Sequence, residues 1–142
     1  LQEICRNAFS VLTAAAASLS SGSAPPEVRL RAMIEAYAQF GFDQPNAYRL
    51  IYLTRPAEAR EGAQTLSQEL GAVVFSAFVA LVEATVAAGR MEGDARAIAQ
   101  SIWAAAHGVV SLMITKPYFP WVERDRLVKT TLDAVFDGLL KP

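Results

Sequence analysis

Hydrophobic residues recur every three or four positions along most of the chain, with polar residues between them. A period near 3.6 residues is typical of helices that bury one face. One such segment starts after Pro25-Pro26 and closes at Gly41. The pattern predicts further helices over residues 1–19, 44–54, 60–88, 94–115 and 123–139.

Turn-forming residues stand where these segments meet. Pro56 and Pro117 follow the third and fifth segments and prevent their continuation, because proline lacks an amide hydrogen. Gly89 suits the C-cap of the fourth segment, and Asp94 suits the N-cap of the fifth. No stretch alternates apolar and polar residues over the length of a strand. The sequence therefore predicts one all-α domain over residues 1–142, a single bundle of about six helices.

The fifth segment is apolar almost all round, and a helix of this kind is buried on both sides. The whole chain is 53% hydrophobic and only 19% charged, where about 25% charged residues is usual. The surplus of apolar residues predicts a homodimer, an internal pocket, or both. The predicted dimer interface consists of Ala105, Val109, Leu112, Leu132, Phe136 and Leu139.

Charge and cysteine content limit the partners. The formal net charge is −1 and lysines and arginines form no run, so we expect no direct contact with DNA. The single cysteine, Cys5, forms no internal disulfide and fits a reducing cytoplasm. We identify no apolar run long and uninterrupted enough to span a bilayer. The start, residues 1–6, has neither an initiator methionine nor a signal-peptide pattern, so we expect a fragment of a longer protein.

Catalytic chemistry finds little support in the sequence. One histidine excludes a two-histidine metal site, and no metal or other cofactor is predicted. A Cys5–His107 dyad is formally possible, but Cys5 lies on an apolar stripe, where a buried thiol packs as a small hydrophobe. Glu83 is predicted on the solvated side of the fourth helix. The chain is predicted not to be an enzyme.

Aromatic residues are placed on several of the predicted helices, and a wall of aromatic and apolar groups with a few polar tips is what small-molecule pockets use. Plain core packing is the alternative for each of them. Gly108 beside His107 suggests the close approach of another helix or a ligand. The predicted ligand-binding residues are Phe9, Met33, Tyr37, Tyr48, Tyr52, Phe75, Phe78, Trp103, His107 and Val110.

One motif in the fifth segment resembles a known signature. Trp103-Ala-Ala-Ala-His107-Gly108 is similar to the Trp-His-Gly motif of one group of C-terminal domains in the TetR family of transcriptional regulators. The order of helices is similar as well, including a short tyrosine-rich helix over residues 48–52. The likeness covers nearly the whole chain. It does not decide whether Trp103, His107 and Gly108 form a pocket wall or only pack.

The resemblance implies a cytoplasmic, bacterial, homodimeric regulator, in most cases a repressor. In such proteins a helix-turn-helix head binds operator DNA, and the C-terminal domain binds a small effector and holds the dimer. No such head is present in these residues, so DNA contact is expected only through a missing N-terminal domain. The entry helix, residues 1–19, is predicted to be the lever that moves the head when an apolar or aromatic effector binds.

Two rival hypotheses stay open. The chain could be a stand-alone helical carrier or sensor of small molecules with no role at DNA. It could also be an enzyme, or an accessory subunit of one, built as a helical bundle, although no cluster of polar groups supports this. A basic helix-turn-helix upstream of Leu1 in the parent protein would decide for the regulator.

Overall fold

The computed structural model describes residues 2–54 and 61–142, and in these residues the chain is a bundle of six α-helices with no strand. The all-α prediction is confirmed. A π-helical turn, Arg49–Leu53, directly continues the third helix. The helices are α1 (Gln2–Ser20), α2 (Pro26–Asp43), α3 (Pro45–Tyr48), α4 (Glu61–Ala87), α5 (Ala95–Thr115) and α6 (Arg124–Leu139).

Helix ends follow the local sequence at most boundaries. The Asp94 carboxylate accepts a hydrogen bond from the Ala97 amide at 2.8 Å, which satisfies one free donor of α5. Gly89 follows α4 with a φ of +75°, a conformation that glycine adopts without strain. Proline at the first positions of α2 and α3 loses no helical hydrogen bond there. Both predicted caps of α4 and α5 are therefore confirmed.

Two local predictions need correction. Gly41 does not close α2, which continues to Asp43. A Cβ at Gly41 would lie 2.5 Å from Val110 Cγ1 and 2.9 Å from Tyr48 Cδ2, so the glycine serves close packing within the helix. The segment predicted as one helix over 44–54 consists of α3 and the π-helical turn, a rare form that is frequent at functional sites.

The core lies where α1, α2, α4 and α5 pack on one another, and α6 covers α5 from the other side. Phe9, Leu30, Val82 and Ile102 are almost fully buried at its centre. Glu83 is exposed on α4, as the sequence predicts. The buried residues of α2, α4 and α5, among them Leu30, Val82 and Ile102, therefore lie on the apolar faces that the periodicity marks.

Two helical segments are long and apolar enough to cross a membrane, judged by length and composition alone. They are residues Ser67–Ala87 of α4 and Ala95–Thr115 of α5. The expectation that no apolar run is long enough was therefore too strict. Both helices contribute buried residues to the core, including Phe78 and Val82 of α4 and Ile102 and Val110 of α5. Core helices of soluble proteins are often as long and as apolar, so these two properties are weak evidence for a membrane span.

Residues predicted at the dimer interface divide into two sets. Leu132 and Phe136 lie in the core of the chain itself, with 1% and 3% of their surface exposed, and this part of the prediction is corrected. Their side chains have no surface left for a partner because α6 uses them to pack on the bundle. Val109 is also nearly buried, at 8%. Ala105 and Leu139 are half-buried and Leu112 is 44% exposed, so these three positions stay an untested prediction.

Candidate functional site

A cavity of about 500 Å³ lies between α1, α2, α4, α5 and the π-helical turn. This volume is within the usual range for small-molecule sites, which are mostly apolar with a few polar groups. Seven of the ten residues predicted to bind a ligand line it: Phe9, Met33, Tyr37, Tyr52, Phe75, Phe78 and Trp103. Whether they contact a ligand remains a prediction.

The other three predicted residues lie behind the cavity wall. Tyr48 and Val110 have no exposed surface, and both pack against the bare backbone of Gly41. His107 stacks on Tyr48, with ring centroids 5.6 Å apart. These residues support the wall, so the structure separates a lining layer from a layer that holds it.

Aromatic rings form a continuous wall on one side of the cavity. The Tyr52 ring centroid lies 5.3 Å from that of Tyr37 and 6.3 Å from that of Trp103, both in edge contacts. Phe75 of α4 lies 5.8 Å from Trp103 of α5. Edge and tilted contacts at these distances are the favourable arrangements of aromatic pairs. The wall is therefore held by ring packing between four different elements, α2, the π-helical turn, α4 and α5.

Behind this wall, four polar tips form one hydrogen-bonded cluster, Tyr37, Tyr48, His107 and Trp103. The Trp103 indole donates to the Tyr37 hydroxyl at 2.9 Å, and the hydroxyls of Tyr37 and Tyr48 lie 2.7 Å apart. The Tyr48 hydroxyl also contacts His107 Nδ1. An indole nitrogen is only a donor, so the Tyr37 oxygen accepts there and its proton is available for Tyr48. Tyr48 then donates to Nδ1 of a neutral His107, which leaves none of these tips without a partner.

Burial sets the protonation of this cluster. It raises the pKa of Tyr37 and of Tyr48 well above the usual tyrosine value, because a phenolate would lose its solvation. The pKa of Tyr52 is raised for the same reason. Burial also lowers the pKa of His107, which favours the neutral imidazole that accepts at Nδ1. The cluster is therefore uncharged at neutral pH.

Local sequence explains how these groups meet. Trp103 and His107 are four residues apart on α5 and share one face, as do Tyr48 and Tyr52 around the start of the π-helical turn. The turn is tied to α5 by Arg49, whose guanidinium donates to the Ile114 carbonyl at 2.9 Å. Thr54 Oγ1 closes the turn by donating to the Arg49 carbonyl at 2.9 Å.

Sequence reasoning missed the polar residues at the rim of the cavity, which are Thr54, Ser67, Gln68, Arg96 and Gln100. Arg96 lies two turns and Gln100 one turn before Trp103 on the same face of α5, so the spacing 96, 100, 103 was the available signal. The Arg96 guanidinium carbon lies 5.3 Å from the Phe75 ring centroid. The rim thus carries a cation stacked on the aromatic wall.

The structure separates Cys5 from His107. Cys5 Sγ lies 3.6 Å from Ser67 Oγ and is fully buried, whereas His107 bonds to the tyrosines. The predicted close approach at Gly108 is not made by residues 2–54 or 61–142. None of the residues that the structure describes comes within 4 Å of a Cβ placed there. Gly108 therefore lies on an open part of α5.

Residues 30–135 match the family described as tetracyclin repressor-like, C-terminal domain. This chain belongs to that family. TetR-like domains of this kind are regulatory and not enzymatic, and in general they dimerise and bind small-molecule effectors. The resemblance to TetR-family regulators is thus confirmed, while the narrower Trp-His-Gly group stays a prediction.

A solved structure gives an independent comparison of the TetR-like fold. A protein of unknown function from Rhodococcus sp. RHA1 superimposes with a TM-score of 0.80 and 25% sequence identity. The alignment covers 99% of this chain and 73% of that chain. No curated protein matches the sequence significantly. The similarity supports the helical arrangement and assigns no ligand.

Proposed function

We propose that this chain is the effector-binding and dimerisation domain of a TetR-like transcriptional regulator. One observation carries the proposal: a chain of this family holds a cavity of about 500 Å³ between its helices, with aromatic walls and a satisfied polar cluster behind them. The effector is a small molecule with a predominantly apolar or aromatic body. It is complementary to a wall built from Phe9, Met33, Phe75 and Phe78.

The route from effector to DNA runs through α1. Phe9, Leu12 and Ala15 of α1 are part of the cavity wall, so a bound molecule touches this helix directly. A ligand shifts a conformational equilibrium only as far as it prefers one state over the other. We propose that the effector prefers a pose of α1 that spoils the spacing of two helix-turn-helix heads supplied by the parent protein. Head spacing matters because half-sites lie about one DNA turn apart. The regulator would act as a cytoplasmic repressor that leaves its operator.

Dimerisation is assigned to the open face of α5. Ala105, Gly108 and Leu112 lie on successive turns of this face, and none of them is fully buried in the chain. Small residues let helix backbones approach closely, and Leu112 offers an exposed apolar contact. We include Leu139 of α6, which is half-buried, in this proposed interface. Leu112→Asp is expected to convert a dimer into a monomer in sedimentation analysis, and an unchanged mass would contradict this assignment.

Binding in the cavity is tested with a substitution that fills it. Gly71 lines the cavity, and a Cβ there would lie 3.8 Å from Phe9 Cζ, an ordinary contact. Gly71→Leu is therefore expected to fold well. Because the added side chain fills the cavity, this variant should no longer bind the neutral planar dye Nile red. Gly71→Ala is the matched control. It gains about 1 kcal/mol of helix stability and adds only one methyl group, so it should still bind the dye.

Three outcomes separate the hypotheses. Dye binding by the chain and by Gly71→Ala, but not by Gly71→Leu, supports a ligand cavity at this place. Equal binding by all three proteins overturns it. A carrier without a role at DNA is distinguished with the parent protein: release of operator DNA by a cavity ligand supports the regulator, and tight ligand binding with no operator contact supports the carrier.

A further inference from the structure

The charge on the described part of the cavity wall is of one sign, positive. Among the lining residues that the structure describes, Arg96 carries a full positive charge, and none is an aspartate or glutamate. The remaining polar groups at the rim are the neutral hydroxyls and amides of Thr54, Ser67, Gln68 and Gln100. A predominantly apolar cavity with one cation at its rim complements a molecule that has an apolar body and a single negative charge.

Arg96 also differs from other arginines of the chain in what it touches. Arg31 pairs with Asp133 at 2.9 Å, and Arg90 pairs with Glu27 at 3.5 Å. Arg29 donates to three backbone carbonyls around the end of α1. By contrast, no carboxylate in the described part of the chain lies within 4 Å of the Arg96 side-chain nitrogens. Its guanidinium carbon instead lies over the Phe75 ring, 5.3 Å from the ring centroid, and the side chain is exposed.

We propose that the effector is an amphipathic monocarboxylate whose carboxylate binds Arg96. This inference rests on the proposed function and deepens it. The planar guanidinium fork matches a carboxylate with two parallel hydrogen bonds. Gln100, one turn further along α5, presents an amide on the same side. Arg96 is exposed, so its charge is already solvated in the free protein and no buried ion has to be created before binding.

The apolar body of the ligand follows from the same helix. Trp103 lies seven residues beyond Arg96, which is roughly 10 Å along α5 at the usual rise. Over this distance the wall consists of Phe75 and Trp103, with Tyr37 and Tyr52 at the inner end. The hydroxyl of Tyr37 is occupied by Trp103 and Tyr48, and Arg96 is the one charged residue among the described residues of the lining, so the inner end holds no cation for a second anionic group. The ligand therefore has one anionic end and one apolar end.

The test uses three probes of equal chain length, which are decanoic acid, decanol and decylamine. Their dissociation constants are measured by isothermal titration calorimetry at one ionic strength, well below the concentrations at which they aggregate. Arg96→Met keeps the length and the apolar stem of the side chain and removes its charge. Arg126→Met is the matched control, because Arg126 is an exposed arginine of α6 outside the cavity wall and the substitution changes the net charge equally.

Decanoic acid is expected to bind more tightly than decanol, and decylamine most weakly. Arg96→Met should weaken decanoic acid roughly ten-fold, the loss of a charge-assisted pair partly screened by water. Decanol affinity should change by less than about two-fold, because a rim charge adds little to an uncharged ligand. Arg126→Met should leave all three affinities unchanged. Arg96→Lys should recover part of the affinity, since it keeps the charge and loses the fork.

Failures of the two proposals are distinguishable. Equal affinities for decanoic acid and decanol, or an equal loss of both in Arg96→Met, would overturn the carboxylate assignment and leave the cavity as an effector site. Binding of Nile red without binding of decanoic acid, decanol or decylamine would do the same. If neither Nile red nor any of the three ten-carbon probes binds, both the carboxylate assignment and the proposed function fail.

Discussion

The inner end and the rim of the cavity use polar groups in opposite ways. Behind the wall at the inner end, the polar atoms of four side chains are directed at one another, those of Tyr37, Tyr48, His107 and Trp103. At the rim, Arg96 contacts an aromatic ring and is exposed. A polar group whose partners lie within the protein positions its neighbours, whereas one without such partners is available to a ligand. The comparison predicts that substitutions at the inner end change stability and those at the rim change affinity.

The largest effect is expected at the centre of the inner cluster. Tyr48→Ala removes a fully buried ring that packs against Gly41, Tyr52 and His107. The cost should be about 3–5 kcal/mol of unfolding free energy, as for other buried aromatic side chains. Urea denaturation followed by circular dichroism measures it. Tyr118→Ala is the control, because Tyr118 is 78% exposed and should change stability by less than about 0.5 kcal/mol.

A smaller loss is expected where two helices meet behind the cluster. Gly41→Ala places a methyl group 2.5 Å from Val110 Cγ1, so the helices must separate, at about 1–3 kcal/mol. Gly71→Ala, also within a helix, meets only an ordinary contact and should gain about 1 kcal/mol. The two variants should therefore shift the melting temperature in opposite directions. Equal shifts would show that close packing at Gly41 is not needed.

The protonation of His107 gives a still smaller effect. Its pKa is lowered below 6.5 by burial, so below this pH the unfolded chain binds more protons than the folded one. The stability linked to His107 is complete above pH 6.5 and declines as the pH falls toward its folded pKa. The groups that face the ring are uncharged hydroxyls of Tyr37 and Tyr48. As the pH is lowered through this range, the urea midpoint of unfolding should fall less for His107→Gln than for the wild type. Parallel curves for the two proteins would contradict the assignment.

The smallest effect on stability is expected at the rim. Arg96→Met should change the free energy of unfolding by less than about 0.5 kcal/mol, because the side chain is exposed and forms no ion pair within the described residues. The same variant should lose affinity for decanoic acid. A loss of more than about 1 kcal/mol in thermal denaturation would place Arg96 with the inner cluster and remove the contrast between the two ends.

The helices were predictable because each signal was local. Apolar spacing marked all six of them, Asp94 and Gly89 marked two of their ends, and the same spacing placed Met33, Tyr37 and Phe78 on inward faces. A residue's inward direction depends mainly on its own helix. This is why seven predicted ligand-binding residues line one cavity.

The remaining features depend on how helices are rotated against one another. Leu132 and Phe136 were assigned to a partner because the sequence does not tell which flank of α5 receives α6. Gly41 was taken as a helix end, since its close neighbours, Val110 and Tyr48, come from other elements. Arg96 was missed for the same reason, because only the position of α4 brings Phe75 beneath its guanidinium.

Trp103 gives this protein an internal optical signal. The chain contains two tryptophans, and the other, Trp121, lies in the loop after α5 with its indole donating to the Lys116 carbonyl. Trp103 is part of the cavity wall, lies 5.8 Å from Phe75 and is 38% exposed, so a molecule that enters the cavity replaces water at its ring. Its fluorescence should therefore shift in wavelength and intensity with occupancy. Trp121→Phe removes the second source of tryptophan emission. Titration of this variant with unlabelled compounds would then measure binding directly from the fluorescence of Trp103.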